Sequence, residues 1–218
     1  MSVVCVTGTD TEVGKTLVTA ALGAALIAHG RSVVAIKPVE SGVALDGAED
    51  GVVLAQATGQ ATPLCALTRL GAPVAPPVAA DREGVRLEPG QWSEVIAAHA
   101  RSVDVTLVEG AGGLLSPMTW TKSLRDLAAG WNASAIVVAL DKLGTLNHTL
   151  MTLELLEAAG VRPLGVVLNT VEEDSSTGAN AAALKRVRPF LEVVTVPTVA
   201  SWQQAVPAMK PVIEWLGL

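Results

Sequence analysis

Gly8-Thr9-Asp10-Thr11-Glu12-Val13-Gly14-Lys15-Thr16 satisfies G-x-x-x-x-G-K-[ST], the pattern of a phosphate-binding loop. A short apolar run, Val3–Val6, precedes it, and a helix-like stretch, Thr16–Ala28, follows. That setting is the one the mechanism demands. Glycines let backbone N–H groups close around phosphate oxygens, and the start of the next helix adds the positive end of its dipole. Lys15 then reaches the β and γ phosphates, and the Thr16 hydroxyl binds Mg²⁺. The bland alternative is a glycine-rich strand-to-helix turn without a ligand, and the strand before and helix after weigh against it.

Moving outward, the runs Val3–Val6, Ser32–Ile36, Val103–Val108, Ala135–Leu140, Pro163–Leu168 and Val193–Val196 are almost continuously apolar. They lack the alternation of a half-solvated sheet, which is the mark of parallel strands covered on both faces. Helix-like segments lie between or beside them: Thr16–Ala28, Asp50–Thr58, Trp92–Ala100, Leu124–Ala129, Leu146–Ala159 and Ala179–Phe190. Gly30, Gly59, Gly130 and Gly160 follow four of these, where a left-handed glycine is expected to end the helix. The spacing predicts an α/β fold over residues 1–218: one domain with a mostly parallel sheet, helices on both faces and right-handed crossovers. Residues 60–90 break the rhythm with Pro63, Pro73, Pro76, Pro77 and Pro89, and read as an irregular surface excursion, a substrate lid or contact region. The C-terminal segment ends in an expected helix, Pro211–Leu216, and no internal repeat or low-complexity tract is present.

Composition excludes several classes. Of 218 residues, 15 are Lys or Arg and 21 Asp or Glu, giving a net charge of −6 without basic runs, so no nucleic-acid surface is expected. Half the residues are hydrophobic and mean hydropathy is +0.46, enough for a sizeable core. The longest apolar stretches, Leu17–Ala28 and Ala133–Leu140, fall short of the roughly 18–20 residues a bilayer span needs, so no membrane association is expected. No basic segment leads into a cleavable apolar one, and Cys5 and Cys65 are too few for a disulfide scaffold. A reducing, cytoplasmic setting is the expectation.

Three further residues bear on the loop. Val103–Val108 runs into Glu109 and then Gly110-Ala111-Gly112-Gly113, which resembles the second metal-binding motif of P-loop proteins with Glu where Asp is commoner. Read as structure alone, Glu109 is a carboxylate capping a turn. The glycines favour function because they let backbone approach a ligand closely. Asp50 opens a helix and reads equally well as a metal ligand or an ordinary N-cap. Lys37 ends the second strand just before Pro38. Ligands of open α/β sheets bind outside the carboxyl ends of strands, so Lys37 should point into the same crevice. At an effective dielectric near 20, a unit charge pair at about 4 Å is worth about 4 kcal/mol, so a second lysine there matters.

Together these residues resemble the dethiobiotin synthetase family. GTDTEVGKT at 8–16, KPVESG at 37–42, the helix opened by Asp50, VEGAGG at 108–113, KLGTLNH at 142–148 and VVLN at 166–169 occur in that family's order. The resemblance implies an ATP- and Mg²⁺-dependent ligase that joins CO₂ to 7,8-diaminononanoate, giving dethiobiotin, ADP and phosphate by way of a carbamate and a carbamic–phosphoric anhydride. It implies that Glu12, Val13, Gly14, Lys15, Thr16 and Leu17 wrap the phosphates, with Glu109, Gly110, Ala111 and Gly112 opposite. It further implies that Thr16, Asp50 and Glu109 hold Mg²⁺, and that Lys15 and Lys37 lie between the carbamate and the γ-phosphate. Thr11 and Ser41 are expected to touch the diamine. Asn169, Thr170, Pro197, Thr198 and Val199 are expected to line the adenine, while residues 200–204 depart from the family's acidic pattern. Leu143, Gly144, Thr145, Leu146 and Asn147 are expected to receive the substrate carboxylate at a helix start, across a homodimer interface. His148 beside them reads as a hydrogen-bonded cap in preference to a general base.

Two other readings compete. An ATP-driven dimerising switch of the partitioning or metal-insertion type would want a signature lysine early in the loop, which Thr9-Asp10-Thr11-Glu12 lacks. A cobyrinate-type amidoligase would need a glutaminase domain, for which 218 residues leave no room. No Asn-Lys-x-Asp motif of a GTP-specific switch follows a strand.

Overall fold

The continuous apolar runs are buried on both sides because they form the middle layer of a three-layer structure. The computed structural model describes residues 2–43 and 49–217. In chain order the elements are β1 (Ser2–Gly8), α1 (Lys15–Ala28), β2 (Val33–Ile36), β3 (Val39–Ser41), α2 (Asp50–Thr58), β4 (Thr68–Leu70), α3 (Pro76–Glu83), α4 (Pro89–Ala100), β5 (Val105–Gly113), β6 (Pro117–Thr119), β7 (Lys122–Ser123), α5 (Leu124–Gly130), β8 (Ser134–Leu140), α6 (Thr145–Ala158), β9 (Arg162–Asn169), α7 (Asn180–Val187), β10 (Val193–Val196), α8 (Trp202–Ala205) and, after one 3₁₀ turn, α9 (Lys210–Trp215).

Six strands form one sheet in the order β10-β9-β8-β1-β5-β2, every pair parallel. Side chains alternate between the two faces. Val4 and Val6 of β1, Leu107 of β5 and Ile136 and Val138 of β8 pack under α1, α2 and α9 with Val18, Leu22, Leu54 and Val212. Cys5, Val108, Val137 and Leu168 face the other way, against Trp92, Ile96, Leu124, Leu153 and Leu184 of α4 to α7. Burial pushes the Cys5 thiol up to about 12, so it is an inert core residue.

The order of the sheet positions the site. From β1 the chain moves past β5 to the edge at β2, returns to β5 beside β1, and then crosses to β8 on the other side. Direction of travel therefore reverses at β1, and a crevice opens beyond its carboxyl end.

Several expectations need correcting. Residues 60–90 are more ordered than their prolines suggested: β4 pairs with β3 in a small parallel ribbon, and Pro76 and Pro77 start α3, where a missing N–H costs nothing. β5 continues to Gly113 instead of ending at Val108, because Gly113 pairs with Gly8 past an irregularity. α7 stops at Val187, three residues before Phe190, since Arg188 precedes Pro189 and takes an extended conformation (φ −128°, ψ 83°). Gly30, Gly59 and Gly160 are left-handed as expected, whereas Gly130 stays helical and Asn132 (φ 51°) supplies the left-handed residue after α5. No helix among the described residues is long and apolar enough to cross a membrane.

Candidate functional site

β1 delivers the phosphate-binding loop, and two glycines in it are required by close approach. A Cβ on Gly8 would lie 2.6 Å from the Asp10 carbonyl oxygen, and one on Gly14 (φ 93°) 2.2 Å from Asn169 Nδ2. Glu12 also carries a positive φ of 58°. Asn169, buried at the end of β9, donates from Nδ2 to the Val13 carbonyl at 3.1 Å and so buttresses the loop from beneath. Lys15 lies back along its own loop and donates to the Asp10 carbonyl at 3.0 Å. Burial, then the neighbouring Lys37 charge, holds the Lys15 ammonium below its ordinary range.

The ends of β2 and β5 and the start of α2 meet beside this loop. Lys37, 4% exposed, donates to Asp50 Oδ2 and to Glu109 Oε1, both at 2.6 Å, and more weakly to the Gly110 carbonyl at 3.3 Å. Thr16 Oγ1 donates to the same Glu109 Oε1 at 2.7 Å. Burial alone would lower Lys37, but the carboxylates of Glu109 and Asp50 hold it above the usual lysine range. Asp50, whose partial burial works in the opposite sense, is held below the usual carboxylate range chiefly by Lys37. Asp50 is the first residue of α2, and its carboxylate reaches Lys37; it is not an N-cap.

Glu109 is wholly buried, and its Oε2 has no hydrogen-bond partner among the described residues. An orphaned carboxylate oxygen at this depth calls for a cation. The oxygens of Thr16, Asp50 and Glu109 suit Mg²⁺, a hard ion usually bound by one or two carboxylates together with waters and phosphate oxygens. Among the described residues no group of three or more His, Cys, Asp or Glu that could hold a metal occurs.

A cavity of about 330 Å³ adjoins this cluster, lined by Thr11, Glu12, Gly14, Lys15, Thr16 and Leu17 of the loop and α1, and by Lys37, Ser41, Asp50, Ala111 and Gly112. It shares Thr11, Glu12, Ser41, Ala111 and Gly112 with a neighbouring groove of about 530 Å³ that is also lined by Pro73–Pro76 and Ser116–Pro117. Val13 and Gly110 lie behind the lining: Val13 is buried in the core, and Gly110 gives its carbonyl to Lys37. At the far side of β9, Thr170 donates its N–H to the Val196 carbonyl at 2.9 Å, which sets Pro197, Thr198 and Val199 beside Asn169 and Thr170. Gln204 Oε1 accepts the Ala200 N–H, a local cap.

The 142–148 segment is elsewhere. It flanks the outer side of the loop, where Thr9, Thr11, Lys142, Leu143, Thr145 and His148 line a small cavity of about 120 Å³. Leu143 is 77% exposed, and the segment does not line the Lys37 cavity within this chain. Its backbone is tightly held all the same. Leu143 N–H donates to Asp174 Oδ2 at 2.8 Å, which with the Ser176 donors pulls the Asp174 carboxyl down to about 2. The buried Asp141 carboxylate accepts from Gly178 N–H and Asn180 Nδ2.

One cavity-lining residue was not picked out from sequence. Glu40, on β3, turns its carboxylate onto the amides of Asp50 and Gly51 at 2.6 and 3.0 Å. Burial pushes its carboxyl up against the opposing pull of these two donors. Its position inside KPVESG was the available signal, but a capping partner ten residues away is not written in any local pattern.

A phosphate-binding loop at the switch point of an all-parallel sheet, with a buried lysine–carboxylate cluster beside it, defines a P-loop nucleotide-binding protein. A family model described as an AAA domain matches residues 2–209. Among solved structures, the cell division ATPase MinD of Pyrococcus furiosus shares the fold at 19% identity, with a TM-score of 0.62 and coverage of 99% of this chain and 98% of its own. MinD of Pyrococcus horikoshii, solved with Mg-ADP, gives 20% identity and a TM-score of 0.58, covering 96% of this chain and 89% of its own. Curated relatives are far more similar in sequence. The ATP-dependent dethiobiotin synthetase BioD of Rhodococcus erythropolis is 43% identical over 78% of this chain and 76% of its own, and that of an Anaeromyxobacter species 41% identical over 91% and 92%. The chain belongs to the dethiobiotin synthetase family.

Proposed function

We propose that this chain is an ATP- and Mg²⁺-dependent ligase that closes the ureido ring of dethiobiotin from 7,8-diaminononanoate and CO₂. The observation that carries the reading is the Lys37 ammonium set between Asp50 and Glu109 at the mouth of the phosphate-binding loop. The reaction must bring two anions together. One substrate amine takes up CO₂ and loses a proton to become a carbamate. A carbamate oxygen then attacks the γ-phosphorus, releasing ADP and leaving a carbamic–phosphoric anhydride. The second amine attacks the anhydride carbonyl carbon, and phosphate departs with the anhydride oxygen.

Each step needs positioning and charge neutralisation more than covalent help from the protein. Thr16, Asp50 and Glu109 would hold Mg²⁺, which supplies charge neutralisation on the phosphates when bound. The N–H groups of Glu12 to Leu17 cradle those phosphates, and Lys15 and Lys37 screen the approaching carbamate from them. Thr11 and Ser41, both lining the cavity, hold the diamine. Ala111 and Gly112 keep the wall low enough for it to enter. Asn169, Thr170 and Pro197–Val199 lie together at one edge and take the adenine base, Asn169 also bracing the loop.

The substrate carboxylate is assigned to the N–H groups at the start of α6, contributed by a second copy of the chain. The exposure of Leu143, and the absence of 143–147 from this chain's own Lys37 cavity, support a homodimer. Incubation with 7,8-diaminononanoate, bicarbonate, ATP and Mg²⁺ should yield a product whose mass is that of dethiobiotin, with one phosphate released per ring. Phosphate release without ureido product would contradict the ligase reading.

A further inference from the structure

We infer that Glu40 is a positioning residue for the metal-binding end of the crevice: by accepting the first two amide protons of α2 it fixes where the Asp50 carboxylate is delivered. The inference rests on the reading of Asp50 as a Mg²⁺ ligand and extends it to a side chain whose two carboxylate oxygens are engaged by the amides of α2.

A helix start leaves several N–H groups without partners, and something must satisfy them. α2 does not do so locally, since Glu49 at the N-cap position makes no side-chain bond into the helix. The acceptor comes from another element. Glu40 Oε1 takes the Asp50 N–H at 2.6 Å and Oε2 takes the Gly51 N–H at 3.0 Å, a charged two-point clamp favoured by the helix dipole. The residue whose backbone is clamped is the one whose side chain reaches Lys37.

Two further contacts come from the same ribbon. Glu40 pairs with Arg69 in the β3–β4 register, and the Arg69 guanidinium bonds the Glu49 carboxylate just before α2. A Cβ on Gly51 would fall 2.2 Å from the Ala66 nitrogen, so the helix start lies flush on the irregular segment leading into β4. That segment is tied in turn to the Lys37 backbone, because Leu67 N–H donates to the Lys37 carbonyl at 2.9 Å. Lys37 and Asp50 are therefore located by one unit, with Glu40 at its centre. Metal affinity is sensitive to such support, and loss of an outer residue commonly costs about 10–100-fold.

The test is a Mn²⁺ titration of the full-length protein by electron paramagnetic resonance, in the presence of a non-hydrolysable ATP analogue. Glu40→Ala should weaken Mn²⁺ binding about tenfold. Glu40→Gln, which keeps an acceptor for one of the two amides, should lose only part of that. Binding of the analogue in EDTA should be unchanged in both, and Glu40→Ala should add nothing in an Asp50→Ala background. Wild-type Mn²⁺ affinity in Glu40→Ala would overturn the inference. So would equal losses with and without metal, which would make Glu40 a prop of the whole fold. The titration needs no diamine, so a protein that forms no ureido product yet shows this pattern loses the ligase reading and keeps this one.

Discussion

The two ends of the proposed substrate path are built in opposite ways. At the phosphate end, side chains from the carboxyl side of the sheet and from the starts of α1 and α2 converge on buried Lys37 and Glu109, and charge is matched by charge: Lys37 with Glu109 and the partly exposed Asp50. At the α6 end, residues 142–148 are mostly exposed, and the carboxylates nearby are spent on local donors: Asp174 on the Leu143 N–H, Asp141 on Gly178 N–H and Asn180. On the proposed function the first end works by side-chain chemistry, so single substitutions there should be severe. On the same proposal the second works by N–H direction, so single substitutions should be mild and confined to the diamine.

That contrast can be broken from its strong side first. Lys37→Ala should lower turnover about a thousandfold, on the scale seen when one donor to a developing anion is removed. Nucleotide binding should survive, and unchanged turnover would remove Lys37 from the mechanism. Lys37→Arg should also be poor, because a planar guanidinium does not replace a compact ammonium. Next, Glu109→Gln should cost at least about a hundredfold in kcat, with the Mg²⁺ requirement moved to higher concentration. A normal Mg²⁺ titration would place the metal elsewhere. Thr16→Val should shift the same titration by about tenfold with a smaller loss in kcat, and it leaves Glu109 one donor short.

At the other end, Asp174→Ala should raise KM for the diamine a few-fold while KM for ATP holds, since it frees only the Leu143 N–H and the turn around it. A rise in KM for ATP instead would show that the two ends are not separate. The pH dependence sharpens the point. Asp174 is depressed to about 2, so its contribution is complete above its ordinary value near 4 and is lost only as pH falls through about 2. The diamine KM of the wild-type protein between pH 6 and 9 should therefore carry no inflection that Asp174→Asn removes.

Legibility in sequence followed the same division. The loop could be read because its glycines and lysine sit at fixed spacing between a strand and a helix. β1, β5, β8 and β9 could be read because burial on both faces leaves an unbroken apolar run. Lys37 followed from its place at the end of β2, and Glu109 from the apolar run before it and the glycines after it. β3 and β4 escaped because three-residue strands carry no period, and α3 because Pro76-Pro77 and Asp81-Arg82-Glu83 look like surface loop until the start of the helix is seen. Glu40 and the bracing role of Asn169 escaped because they bond across 10 and 156 residues of chain. Such partners are set by the tertiary fold, and no local spacing encodes them.

The most direct measurement is a crystal structure of the protein with a non-hydrolysable ATP analogue, Mg²⁺ and 7,8-diaminononanoate. In it Lys37 should have left one or both carboxylates, with Nζ about 3 Å from a γ-phosphate oxygen, while Asp50, Glu109 and Thr16 oxygens ligate the metal at about 2.1 Å. Lys37 still bridging Asp50 and Glu109, with the triphosphate bound out of its reach and no metal between them, would contradict the account.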